Sequence, residues 1–206
     1  GAFVRLGTIA GQENVIELAQ RLGISTPPAP ELSPPLGTFE VPPIEMASAY
    51  SAIPNGGIRE PWHLIERIED PLGNVIYEHA PQGTRAFSAQ TACLAAQILE
   101  ENVRSGTGRR ARLREQRSGG KTGTTDKGSD VWYVGFTPYL TTAVWMGFGD
   151  SNRPLPSVDG IANFGGFFPA RIWNQFNAAY HDGREPQAFP RCGPVRSNGR
   201  VTGPRD

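Results

Sequence analysis

The chain has 206 residues, 38% of them hydrophobic and 19% charged, which fits one globular domain or most of a larger one and excludes a disordered chain. Its 20 Lys and Arg balance 20 Asp and Glu, so no basic surplus points to nucleic acid and no acidic surplus to a solvating tail. No apolar run is long enough to span a bilayer, and no signal-peptide pattern is present.

The opening residues, Gly1-Ala2-Phe3-Val4-Arg5-Leu6, read as the middle of a helix, so the chain is expected to be a fragment. Val15, Leu18, Ala19 and Leu22 recur at helical spacing, which predicts an amphipathic helix over 12–22 with Gly23 as its stop. Seven prolines between residues 25 and 43 forbid a long helix or a central strand there. A second helix is predicted from Ile44, with Ala47 and Tyr50 inward, ending at Pro54-Asn55-Gly56-Gly57. Asp70-Pro71-Leu72-Gly73 predicts a turn between strands near 63–69 and 74–79. Ser88 is the expected N-cap of a third helix running to about Val103, with Leu94, Ala95, Ile98 and Leu99 inward. Within it, Cys93 reads as a buried thiol, and a bridge to Cys192 is an open alternative. Strands follow at about 118–124, 131–137 and 140–149, with Pro138-Tyr139 turning the last two into a hairpin. A closing helix is predicted over 168–180, with Ile172, Phe176, Ala179 and Tyr180 in register. Helices, then an antiparallel sheet, then a closing helix argue for an α+β fold. Residues 1–180 are assigned to the domain, and 181–206, rich in Pro, Gly and Arg, to a tail or linker.

The chemistry concentrates in Gly120-Lys121-Thr122-Gly123-Thr124-Thr125. A phosphate loop would need Gly at position 115, which is Glu, and a helix beginning at Lys121-Thr122, whereas a strand is predicted. On a strand the residue types suit an anionic peptide. Lys121 supplies a positive charge, Thr122 and Thr124 supply hydroxyl donors for a carboxylate, and Gly123 lets a peptide backbone lie against the edge.

Ser105-Gly106-Thr107-Gly108, Lys121-Thr122-Gly123, Asp130-Val131-Trp132-Tyr133-Val134-Gly135-Phe136-Thr137-Pro138 and Val144-Trp145-Met146-Gly147-Phe148 occur in order. Glu45-Met46-Ala47 and Asn55-Gly56-Gly57 precede them, and Pro169-Ala170-Arg171-Ile172-Trp173 follows. As a set, over residues 1 to about 180, they resemble the transpeptidase domain of class A, bifunctional penicillin-binding proteins. The resemblance implies a penicillin-binding protein and serine β-lactamase-like fold, incomplete here. It implies an acyltransferase of cell-wall peptidoglycan biosynthesis on the extracytoplasmic side of the bacterial membrane, with the anchor outside this chain. The family forms a serine acyl-enzyme on a D-Ala-D-Ala stem peptide and passes the acyl group to an amine on a neighbouring stem; β-lactams acylate the same serine. By resemblance Lys121 and Thr124 are catalytic, the Thr124 N–H serving as an oxyanion donor, and Thr122, Gly123 and Thr125 bind substrate. No cofactor is implied.

The family also uses a Ser-x-x-Lys nucleophile and a Ser-x-Asn element. The chain holds no Ser-x-Asn, and its single Ser-x-x-Lys, Ser118 to Lys121, falls on the predicted strand, where residues three apart face opposite ways. The expectation is a half-site, inactive alone, that needs the N-terminal part of the same domain as its partner. A D,D-carboxypeptidase or β-lactamase relative, and a non-catalytic scaffold module, are the alternatives. The arginines between 104 and 117 read as a solvated loop face, and His63, His79 and His181 have no metal-ligand spacing.

Overall fold

The computed structural model describes residues 2–26, 37 and 39–194. Most of the proline-rich stretch, and the end of the tail from 195, lie outside these residues. The described helices are α1 (Ala2–Ala10), α2 (Gln12–Arg21), α3 (Pro43–Ser51), α4 (Ala89–Ser105) and α5 (Phe168–His181). The strands are β1 (Ile58–Arg59), β2 (Arg67–Glu69), β3 (Val75–Glu78), β4 (Thr84–Arg85), β5 (Gly119–Thr124), β6 (Val131–Phe136) and β7 (Thr141–Met146).

The predicted helix after Gly11 forms as α2 and ends in a Schellman motif. Gly23 N donates to Gln20 O at 2.8 Å and Ile24 N to Ala19 O at 3.0 Å. Gly23 takes φ +86°, and Ile24 is buried beyond it. Ser88 caps α4 as expected, accepting from Thr91 N at 3.1 Å. The Asp70 turn also forms, with Leu72 N and Asn74 N both donating to Asp70 Oδ1. The hairpin it closes is shorter than the spacing suggests, since pairing begins only at Arg67. A two-residue ladder, β1 against β4, escapes sequence reading because two-residue strands carry no periodicity.

The main sheet runs β5-β6-β7, all antiparallel, with Lys121 opposite Val134 and Thr122 opposite Tyr133. Helix α4 packs on β5, while α3 and α5 pack on β6 and β7. The core gathers Ala111, Leu113, Tyr133, Ala170 and Trp173.

Two helix faces differ from expectation. In α4 the fully buried residues are Ala92, Ala96 and Val103, whereas Ile98 is exposed and Leu94, Ala95 and Leu99 are half-buried. Small alanines let the helix approach the glycine-bearing start of β5, where a side chain at Gly119 would meet Leu99 Cβ at 3.3 Å. In α5 the buried stripe is Ala170, Trp173 and Asn177, and Ile172, Phe176 and Ala179 are exposed. Trp173 sets this rotation. Its ring fills the space left by Gly135, and its indole N–H donates to the carbonyls of Gly135 and Thr142, each at 3.2 Å.

Cys93 is not a free thiol; it is bridged to Cys192. Residues 183–194 form no helix or strand, yet they lie along the domain. Phe189 meets Phe136 edge-on at 5.4 Å, Gln116 exchanges two hydrogen bonds with the Gln187 backbone, and Tyr139 donates to Glu185 O.

Candidate active site: an edge strand and a glycine turn

Strand β5 is an edge strand, so one of its sides has no neighbouring strand among the described residues. Its position is fixed from beneath by packing. A Cβ on Gly120 would meet the Tyr133 hydroxyl at 2.3 Å, so the strand can sit this low only with glycine there. Gly119 and Gly120 are buried, and from Lys121 onward the strand emerges toward solvent.

A cleft of about 470 Å³ opens beside it. Its walls include Thr122 and Thr124 from β5, Thr107 from the turn after α4, Arg109 and Arg110 from the following 3-10 turn, and Phe164. Thr122 Oγ1 lies 2.8 Å from Thr107 Oγ1. Thr124 Oγ1 accepts from Gly165 N at 3.0 Å, which fastens the segment before α5 to the strand. That segment passes so close that a Cβ on Gly165 would meet Gly123 O at 2.4 Å.

Of the expected site residues, Thr122 and Thr124 line the cleft, and Gly123 sits between them. Lys121 is exposed on the strand, with Nζ donating to Thr122 O at 2.9 Å. Although the side chain as a whole reaches solvent, loss of hydration around its ammonium lowers its pKa from the ordinary 10.5. Thr125 lies just past the strand with its hydroxyl engaged in the turn. It accepts from Asp130 N at 3.0 Å and lies 3.0 Å from Ser129 Oγ. Asp130 in turn accepts from the Trp145 indole at 2.9 Å. Ser118 is buried while Lys121 is exposed, so the two do not share a face.

The arginine-rich stretch divides into two groups. Arg104 pairs with Glu101 and Arg117 with Glu100 at the surface, whereas Arg109 and Arg110 face the cleft without a carboxylate partner among the described residues. Arg110 stacks over Phe167 at 4.5 Å. Sequence reasoning assigned these two to a solvated face and gave Thr107 no role. The signal for Thr107 was present in Gly106-Thr107-Gly108, a tight turn that closes α4.

The family model for the penicillin binding protein transpeptidase domain matches residues 29–153, more than half of the chain. Penicillin-binding protein 1A of Aquifex aeolicus is 35% identical over 147 residues, covering 71% of this chain and 20% of that protein. Penicillin-binding protein 1A of Neisseria gonorrhoeae is 35% identical over 178 residues, covering 82% and 21%. The chain thus spans about a fifth of the length of these relatives. Among solved structures, PonA1 from Mycobacterium tuberculosis in complex with penicillin V superposes with a TM-score of 0.79 at 27% identity, over 90% of this chain and 54% of that one. Penicillin-binding protein 1A from Haemophilus influenzae gives a TM-score of 0.80 at 24% identity, over 92% and 34%, a likeness of fold.

Proposed function

Because this chain belongs to the penicillin-binding protein transpeptidase family, with its α+β fold, we propose that it forms the lysine-strand wall of a serine D,D-transpeptidase site. That site crosslinks peptidoglycan stem peptides on the extracytoplasmic side of the bacterial membrane and is acylated there by β-lactams. The observation that carries the reading is the pair of hydroxyls, Thr122 and Thr124, opening from an edge strand into one cleft with Lys121 beside them.

In this reading the C-terminal carboxylate of a D-Ala-D-Ala stem accepts hydrogen bonds from the Thr122 and Thr124 hydroxyls. The stem's backbone lies along the open edge of β5 as an added strand. A serine hydroxyl attacks the penultimate carbonyl, the carbonyl oxygen gains charge, and the Thr124 N–H is one of the donors that stabilise it. The D-Ala amine leaves with the proton, and the ester left behind is opened by an amine of a second stem. Lys121, with its lowered pKa, holds positive charge toward the anionic substrate and takes part in proton movement.

The chain has no Ser-x-Asn, and its single Ser-x-x-Lys pair points to opposite faces, which supports a wall that is inactive alone. The serine then comes from the N-terminal part of the same domain. Exposed apolar side chains at three places, Leu72 in the turn between β2 and β3, Ile98 on α4 and Phe176 on α5, support a partner of that kind. The Cys93–Cys192 bridge supports an oxidising, extracytoplasmic location. A non-catalytic scaffold is the second reading, favoured by the absent serine motif and opposed by the complete threonine wall.

The test is intact mass after incubation with a penicillin. This chain alone is expected to stay unmodified. Mixed with an upstream segment carrying both missing motifs, it is expected to restore one penicilloyl adduct on that segment. A stoichiometric adduct on this chain alone would overturn the half-site reading, and no adduct in the mixture would favour the scaffold.

A further inference from the structure

One side chain joins the glycine turn to the lysine strand. Asn102 lies in the last turn of α4, and its carbonyl accepts from Gly106 N at 2.9 Å and Gly108 N at 3.2 Å. Its side-chain oxygen accepts from Thr107 N at 3.0 Å and lies 3.1 Å from Thr107 Oγ1. Its side-chain nitrogen donates to Gly120 O, directly before Lys121, at 2.7 Å. Gly106 and Gly108 leave the room this needs, since a Cβ on either would come within 3.0 Å of the Asn102 side chain.

These partners fix the orientation of the Asn102 amide. Gly120 O can only accept and Thr107 N can only donate, so the amide has a single orientation. Asn102 Oδ1 carries no hydrogen, so the Thr107 hydroxyl donates to it. Either hydroxyl can donate across the 2.8 Å contact; with the Thr107 proton directed to Asn102 Oδ1, it is Thr122 that donates to Thr107.

We propose that Asn102 and Thr107 are positioning residues for Thr122, and that they form a two-hydroxyl switch which turns when a carboxylate enters the cleft. The proposal rests on the reading of Thr122 as a carboxylate ligand. In the empty cleft the Thr122 proton points back to Thr107. When a carboxylate arrives, Thr122 turns its proton to the ligand, and Thr107 turns its own from Asn102 Oδ1 to the vacated Thr122 oxygen. Asn102 Oδ1 keeps the Thr107 N–H throughout, so this acceptor is not orphaned. Donation from Thr107 polarises the Thr122 O–H, strengthening the bond that it makes to the anion. No covalent bond changes.

The test uses this chain labelled for NMR, with acetyl-D-alanyl-D-alanine as the probe. The variants are Thr107→Val, which keeps the shape and loses the hydroxyl, Thr107→Ser, which keeps the hydroxyl, and Asn102→Asp. Thr107→Val is expected to weaken probe binding about three- to tenfold, the range of one neutral hydrogen bond, while Thr107→Ser binds as the parent does. Asn102→Asp, ionised, loses the donor to Gly120 O and regains it on protonation. Its Gly120 and Lys121 amide resonances are therefore expected to move toward their parent positions as pH falls through the new carboxyl's titration. Equal binding by Thr107→Val, or tighter binding, would overturn the switch. If the parent itself does not bind the probe, the carboxylate reading of this chain fails. The positioning role is then decided in the free protein: Thr122 resonances that ignore Thr107→Val, or strand resonances that do not titrate in Asn102→Asp, overturn it.

Discussion

Tyr133 carries its hydroxyl into the space beneath Gly120, where the oxygen is buried and has no hydrogen-bond partner among the described residues. Burial pushes its pKa well above the ordinary tyrosine value of 10.0. A hydroxyl desolvated without a partner lowers stability, so Tyr133→Phe is expected to leave stability unchanged or raise it by about 1 kcal/mol in urea unfolding. A loss greater than that would show that the oxygen has a partner. Gly165 presents the opposite case. A methyl group there would strike Trp132 O at 2.3 Å and Gly123 O at 2.4 Å, backbone atoms that cannot step aside. Gly165→Ala is expected to cost roughly 1–3 kcal/mol by overpacking. It should also break the Gly165 N to Thr124 Oγ1 bond, read as faster amide exchange at Gly165 and a displaced Thr124 resonance. Wild-type exchange and shifts in this variant would mean that the segment is not held on the strand.

At the scale of elements, the end of α2 and the start of α3 are joined through Glu45. Its carboxylate accepts from Ser25 N at 2.9 Å and Ser25 Oγ at 2.7 Å, and Arg59 adds an attractive charge. These contacts, the Ser25 N–H foremost, lower its pKa from the ordinary 4.5. A carboxyl depressed in the folded state contributes stability that is present above the unfolded pKa and is lost as pH falls through the folded one. The urea midpoint is therefore expected to drop on acidification below about 4.5, and Glu45→Gln to drop less over that window. Parallel acid profiles would assign the acid loss to other groups. Elements are also where sequence reading succeeded and stopped. The β5–β6–β7 meander was legible because glycine, β-branched and aromatic runs alternate with turn residues, and Ser88 was legible as a cap because its role is local. The rotation of α4 and α5 was not. The apolar count favours Ile98, Ile172 and Phe176, whereas the structure buries small Ala92 and Ala96, and polar Asn177 behind Trp173. Asn102 was illegible for the same reason, since its meaning depends on which side of α4 meets Gly120. Thr122 and Thr124 could be read directly, being two residues apart on one strand and hence on one face.

Over the whole molecule, residues 183–194 illustrate what composition cannot tell. A stretch of Pro, Gly and Arg without periodicity reads as a linker, and two cysteines so far apart give no sign of meeting. The described part of that stretch is instead fixed by Gln116, by Phe136, and by Gln90, which exchanges two hydrogen bonds with the Gly193 backbone. The bridge encloses a sequence separation of 99 residues. Closing so long a loop removes much freedom from the unfolded chain, and replacing both cysteines by serine is expected to cost about 2–4 kcal/mol in urea unfolding. Equal midpoints with and without reductant would show that the bridge contributes nothing.

The same bridge determines how the molecule carries a load. Tension applied between the beginning of the chain and a point past Cys192 passes through the sulfurs into α4 and bypasses β5, β6, β7 and α5, which lie inside the closed loop. Fully extended, that loop would span roughly 330–360 Å. In a pulling experiment this length stays hidden until a reductant is added, so the strand bearing Lys121, Thr122 and Thr124 keeps its shape while the chain on either side is stretched.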